Sequence, residues 1–183
     1  MKNDKALKGI SKYLSYVLRH HPGSIDLVLD EQGWADIDLL LAKCAAKNVL
    51  LDRDDLAQLV AQNDKQRFAI DTVRNKIRAN QGHSIRIDAG LEPEVPPAVL
   101  YHGTAKRFLA SILKQGLQKQ NRLHVHLSHE MDTARNVGTR HGIPVVLQVD
   151  AATMQEKGFI FYLSENKVWL TEEVPAQYIS YEG

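Results

Sequence analysis

Histidines and arginines are the residues of this chain whose types and spacing point to chemistry. Five of the eight histidines (His102, His124, His126, His129 and His141) fall between residues 102 and 141, and His20 stands beside His21. Imidazole titrates near neutrality, so such clustering marks sites of proton transfer or ligand contact. Arg19 and His20 end an amphipathic stretch. The dipole alone favours cations at a helix C-terminus by ~0.3–1 kcal/mol, while two donors beside a turn also make an anion contact. Arg67, which opens a hairpin, can pack nearby. Local grounds leave both readings open.

His124, His126 and Ser128 alternate with Val125 and Leu127. On a strand the three polar residues share one face while the apolar pair enters the core. A zinc site completed by His102 or His129 is one reading. No pair of carboxylates or cysteines lies at companion spacing, so a row of neutral donors lining a cleft fits better. Tyr101-His102-Gly103-Thr104 reads as a strand end that delivers a histidine, a glycine that admits another backbone, and a hydroxyl. A nucleotide's ribose and pyrophosphate would suit this turn; so would an ordinary strand-end turn with no ligand. The GxGxxG and GxxxxGK[ST] patterns do not occur, which removes the standard dinucleotide and P-loop routes.

Elements of two kinds must position these residues. Ile10, Leu14, Val17, Leu18 and His21 follow helical spacing up to Pro22-Gly23. Further helices are predicted over 36–47, with Ile37, Leu40, Leu41 and Cys44 inward, and over 54–62. Strands follow at 67–71 and 76–80, joined by a turn at 72–75. Three helices and a hairpin is the order of a winged-helix module, which binds nucleic acid in some proteins and other proteins elsewhere. The segment DAGLEPEVPP (88–97) holds three of the six prolines and reads as a linker between domains at 1–87 and 98–183. Beyond it strands at 99–104, 124–128, 145–150, 159–163 and 167–171 alternate with helices at 105–115 and 130–140, a compact α+β pattern. Trp34, Leu29, Phe68, Trp169, Phe161 and Cys44 read as core residues.

Composition sets the limits. With 183 residues, 44% hydrophobic and 25% charged, the chain is expected to fold as one domain or two small ones. No window approaches the ~18 apolar residues of a membrane span, and the polar N-terminus gives no export signal. The single cysteine excludes an internal disulfide and, with the rest, makes a reducing cytoplasm the expected compartment. Net charge is only +1, which argues against a nucleic-acid partner until the charges are placed. Lys65, Arg67, Arg74, Lys76, Arg78 and Arg86 then face a single acid, Asp71.

Taken together, SKYLSYVLRHHP (11–22), GWADIDLLL (33–41), DKQRF (64–68), IRANQGHS (77–84), LYHGT (100–104), RLHVHLS (122–128), VGTRHG (137–142) and KVWLT (167–171) closely resemble the tRNA 2′-phosphotransferases, the KptA family. The blocks run in order from about residue 11 to residue 180. The resemblance implies a winged-helix-like N-terminal lobe and an ADP-ribosyltransferase-like C-terminal lobe. It implies transfer of an internal RNA 2′-phosphate to NAD as co-substrate, with no metal; apart from the resemblance, a monomer with no membrane partner is expected. By motif, Arg19, His20, Arg67 and Arg122 match the catalytic residues. His102, Gly103, Thr104, His126, Ser128 and Val168 match the NAD side, Val168 standing where many relatives carry a catalytic glutamate. The family usually reads Asn-Gly before Val-Trp-Leu; Asn166-Lys167 departs from it, and a different local turn is expected there. The alternatives are an ADP-ribosyltransferase acting on a terminal phosphate or a protein, and a non-catalytic nucleic-acid or ADP-ribose binding module.

Overall fold

Leu7, Leu14, Val17 and Leu18 recur at helical spacing and are all buried, which makes them the inner stripe of α1 (Asp4–Arg19). The computed structural model describes residues 4–62, 66–88 and 90–181. Lys65, counted in the basic run, and Asp64 of the DKQRF block lie outside them. The chain divides into two units, Met1–Gly90 and Leu91–Gly183, each with its own apolar core.

In the first unit α1 gives way to a short 3-10 turn, Pro22–Ile25, because proline cannot continue the helix. β1 (Ala35–Asp36) leads into α2 (Ile37–Ala46), whose first turn is capped by Asp36 accepting from the Leu39 amide at 2.9 Å. α3 (Arg53–Ala61) is capped in the same way, Asp52 accepting from the Asp55 amide at 2.7 Å. β2 (Phe68–Asp71) and β3 (Lys76–Ala79) form an antiparallel hairpin, and β1 adds to its other side in the order β1-β3-β2. Phe68, Ile77 and Ala79 bury the hairpin's inner face on α1, α2 and α3 residues. Trp34, expected in the core, is half-buried, with the Arg78 guanidinium 4.6 Å above its ring.

The second unit is a set of small antiparallel sheets with helices packed on them. β4 (Val99–Ala105) is followed by α4 (Lys106–Gln115), β5 (Leu117–Gln118), β6 (Val125–Leu127), α5 (Met131–Gly138), β7 (Pro144–Asp150) and α6 (Ala151–Glu156). β8 (Phe161–Leu163), β9 (Trp169–Thr171), β10 (Glu173–Val174) and β11 (Ile179–Ser180) complete it. The sheets run β11-β7-β4, β6-β9-β8 and β10-β5. The fold is mixed α/β with small antiparallel sheets, an α+β arrangement.

Two readings of the sequence change here. His102-Gly103-Thr104 is not a strand-end turn: β4 continues through it to Ala105, paired along its length with β7. Gly103 admits another backbone as expected, that of α5, since a Cβ there would sit 1.6 Å from the Ala134 carbonyl oxygen. Gly138 repeats the arrangement from the helix side, where a Cβ would lie 2.6 Å from the Thr104 carbonyl. Within the proline-rich segment Pro93 bridges to Tyr162 and the Glu94 amide donates to the Phe161 carbonyl at 2.8 Å. A six-residue α6 appears where none was read, held by Asp150 accepting from the Thr153 amide at 3.0 Å.

Candidate active site

Arg19 is the last residue of α1, and the His20 and His21 amides both return to the Tyr16 carbonyl, at 3.0 and 3.1 Å. His21 stacks on Tyr16 with ring centroids 5.1 Å apart. His20 is held from far away in sequence: its Nδ1 lies 2.9 Å from the Ser84 hydroxyl, and the Ser84 amide donates to the Arg19 carbonyl at 3.0 Å. The same loop reaches Arg67. The Asn80 amide donates to the Arg67 carbonyl at 2.9 Å, and the Asn80 side-chain amide to the Gln66 carbonyl at 2.6 Å. Residues 80–84 therefore form a strap that fastens both Arg67 and the Arg19-His20 pair by main-chain bonds.

Buried within the strap is His83, 3% exposed. Burial, then the positive charges of Arg19, His20 and Arg78, push its imidazole down to about 4, so it is neutral at physiological pH. A neutral ring is the one form that this cationic neighbourhood tolerates at low cost. The block IRANQGHS carries the family resemblance, but nothing in the sequence alone assigns Asn80, His83 or Ser84 a role. The Gly-His-Ser run after a strand was the only available signal.

In the second unit, paired amides and carbonyls of Tyr101 and Ser128, both bonds 2.8 Å, stitch β4 to the end of β6. This brings His102 to His126: His102 Nδ1 donates to the His126 carbonyl at 3.0 Å, which leaves Nε2 as the acceptor of the neutral ring. Burial is the main cause of its lowered pKa, with the Arg122 and His141 charges adding to it against the hydrogen bond to His126. Arg122 Nη1 donates to His126 Nδ1 at 3.2 Å, so the proton of a neutral His126 sits on Nε2. Partial burial and Arg140 lower Arg122 as well, although the residue is exposed overall and guanidinium stays charged. Arg140 and His141, unassigned from sequence, thus belong to the same positive field.

Val125 and Leu127 are buried and His124, His126 and Ser128 are not, as strand alternation requires. The two histidines go to different partners, His124 meeting Tyr162 edge to face at 5.6 Å while His126 takes Arg122. Among the described residues no group of three His, Cys, Asp or Glu side chains comes together to hold a metal ion. Thr104 is buried beneath Gly138. Val168 precedes β9, and the Ser164 hydroxyl fixes it by accepting from its amide at 3.0 Å. In the turn between them Lys167 itself takes a left-handed φ of 61°, the conformation glycine adopts more easily. Arg19, His20 and Arg67 are gathered in the first unit; Arg122, His102, His126 and Ser128 in the second.

The chain has relatives along nearly its full length. The profile of the "RNA 2'-phosphotransferase, Tpt1 / KptA family" matches residues 5–173. A "Probable RNA 2'-phosphotransferase" of Hahella chejuensis is 53% identical over 177 residues, covering 97% of this chain and 95% of the relative. One of Flavobacterium johnsoniae is 51% identical over 181 residues, covering 99% and 100%. One of Agrobacterium fabrum is 54% identical over 170 residues, covering 93% and 91%. With a family match over most of the chain and relatives sharing half its residues end to end, this chain belongs to the RNA 2′-phosphotransferase, Tpt1 / KptA family.

Proposed function

We propose that the chain removes an internal 2′-phosphate from RNA using NAD, yielding nicotinamide, ADP-ribose 1″,2″-cyclic phosphate and RNA with a free 2′-hydroxyl. The observation that carries the reading is the strap, which fastens Arg19, His20 and Arg67 by bonds at both ends of one loop. A preorganised set of cations suits a phosphate whose charge must be oriented rather than created.

In the first step a 2′-phosphate oxygen forms a bond to the anomeric carbon of the nicotinamide ribose, and the glycosidic bond to nicotinamide breaks. The phosphate is already anionic, so no base is needed. Arg19, Arg67 and Arg122 hold its oxygens through forked donors that lysine does not reproduce. In the second step the ribose 2″-hydroxyl attacks phosphorus, the bond from phosphorus to the RNA 2′-oxygen breaks, and one proton moves from the attacking to the leaving oxygen. The three guanidiniums balance the charge that builds on phosphorus, and His20 handles the proton. The donor set of the second unit suits NAD: Nε2 of His102 accepts from a ribose hydroxyl, and His126, Ser128, Gly103 and Thr104 line that strand pair. Val168, in place of a carboxylate, leaves no negative charge to repel an anionic nucleophile. Three helices and a hairpin support a winged-helix-like first lobe. The split antiparallel sheets support an ADP-ribosyltransferase-like second lobe, with a linker at 88–97 between them.

Nicotinamide release tests the reading, measured with NAD and, in turn, RNA bearing an internal 2′-phosphate, RNA bearing only a 5′-phosphate, and a protein acceptor. Release that requires the internal 2′-phosphate and survives chelator is expected. Release with another acceptor would assign a different transfer, and tight binding without release would leave a binding module.

A further inference from the structure

Ser84 stands 64 residues from His20, yet it holds that residue twice, by its main chain at the Arg19–His20 peptide and by its side chain at the imidazole. The amide donates to the Arg19 carbonyl at 3.0 Å and the hydroxyl meets His20 Nδ1 at 2.9 Å. One bond fixes where the backbone of His20 is, and the other fixes how its ring is turned. The loop that carries Ser84 is itself anchored, by Asn80 on the Arg67 side and by buried His83 next door. A serine at a loop surface has no need of two bonds to a helix end, and a neutral imidazole whose Nδ1 carries the proton has its lone pair on Nε2.

We infer that Ser84 is a positioning residue for the second chemical step, holding His20 as the tautomer that carries its proton on Nδ1. The Ser84 oxygen accepts that N–H, and the Nε2 lone pair takes the proton of the attacking 2″-hydroxyl as the new oxygen–phosphorus bond forms. In the imidazolium that results, Nδ1–H stays on Ser84. Nε2–H returns its proton to the RNA 2′-oxygen as the old oxygen–phosphorus bond breaks, so the ring ends as it began. The first step moves no proton and is indifferent to the tautomer. The inference rests on the proton-handling role proposed for His20, and its test separates the two.

Single-turnover reactions resolve the steps, by nicotinamide release for the first and by loss of the RNA-linked phosphate for the second. Ser84→Ala is expected to slow the second step ~10- to 100-fold, the range of a lost orienting partner, with the first step within ~3-fold and the ADP-ribosylated RNA accumulating. Ser84→Thr, which keeps the hydroxyl, is expected to restore the second step. His20→Ala combined with Ser84→Ala is expected to be no slower than His20→Ala alone, because the serine acts only through the ring. In nitrogen-15 spectra of the folded protein, neutral His20 is expected mainly as the Nδ1–H form and to shift toward Nε2–H in Ser84→Ala. A large His20→Ala defect beside a normal Ser84→Ala enzyme overturns the serine's role. Normal turnover in His20→Ala overturns the role of the histidine. Equal slowing of both steps in Ser84→Ala, unrescued by threonine, marks a structural residue and overturns the inference too.

Discussion

His83 is 3% exposed and lies among the charges of Arg19, His20 and Arg78, so adding a proton to it in the folded protein is costly. The unfolded imidazole takes that proton near 6.5 and the folded one only at about 4. Between those values the unfolded state binds more protons, so stability is fully present above pH 6.5 and declines as pH falls toward 4. Lowering pH from 7.5 to 5 is expected to cost about 2 kcal/mol through this one residue. Urea unfolding of wild type and His83→Gln at the two pH values checks this, the variant losing that much less. An equal loss in both would mean that His83 is already protonated when folded. Arg19, Arg67 and Arg122 make a separate prediction: replacing any one with alanine should lower turnover ~10²-fold or more, as expected for a lost transition-state donor. Near-normal rates would remove the residue from its role. Motif order in the sequence singles out these arginines and His20. It does not single out Ser84 and His83, because Ser84's partner His20 lies 64 residues away and two of the charges around His83, Arg19 and His20, are as distant, so nothing local signals the contact.

Among the elements, long amphipathic patterns were readable and short pieces were not. The inner stripe of α1 and the alternation of Val125 and Leu127 come directly from periodicity. The two-residue strands β1, β5, β10 and β11 carry no periodicity at all and exist only through pairing. β4 shows why a Gly-Thr pair misleads: the glycine there is not a turn but the contact on which α5 rests. Gly103→Ala is therefore expected to destabilise the second unit by ~3 kcal/mol or more, because overpacking here meets backbone rather than a movable side chain. Thermal unfolding checks it, with a fall in midpoint of more than ~10 °C expected for a unit of this size. An unchanged midpoint would mean that α5 moves away without cost.

Across the whole molecule, the net charge of +1 understates how unevenly charge is used. The basic run that seemed to offset it is partly neutralised within the fold: Lys76 pairs with Asp30 at 2.6 Å, Arg74 with Asp71 at 3.6 Å, and Arg78 lies on Trp34. Counting residues along the sequence cannot reveal this, since Asp30 and Lys76 meet only after folding. Lys76→Ala and Arg74→Ala are accordingly expected to keep turnover within ~3-fold of wild type and to cost at most ~1 kcal/mol each in stability. Losses like those of the Arg19 variant would show instead that these side chains serve the phosphate. The single cysteine leaves no partner within the chain for a disulfide, and among the described residues no helix is long and apolar enough to cross a membrane. The most direct test of the central claim is the stoichiometry of the reaction with NAD and an RNA bearing one internal 2′-phosphate. One nicotinamide should be released for each 2′-phosphate lost, with the phosphorus recovered as ADP-ribose 1″,2″-cyclic phosphate; nicotinamide release with the RNA phosphate left in place, or its recovery as inorganic phosphate, would contradict it.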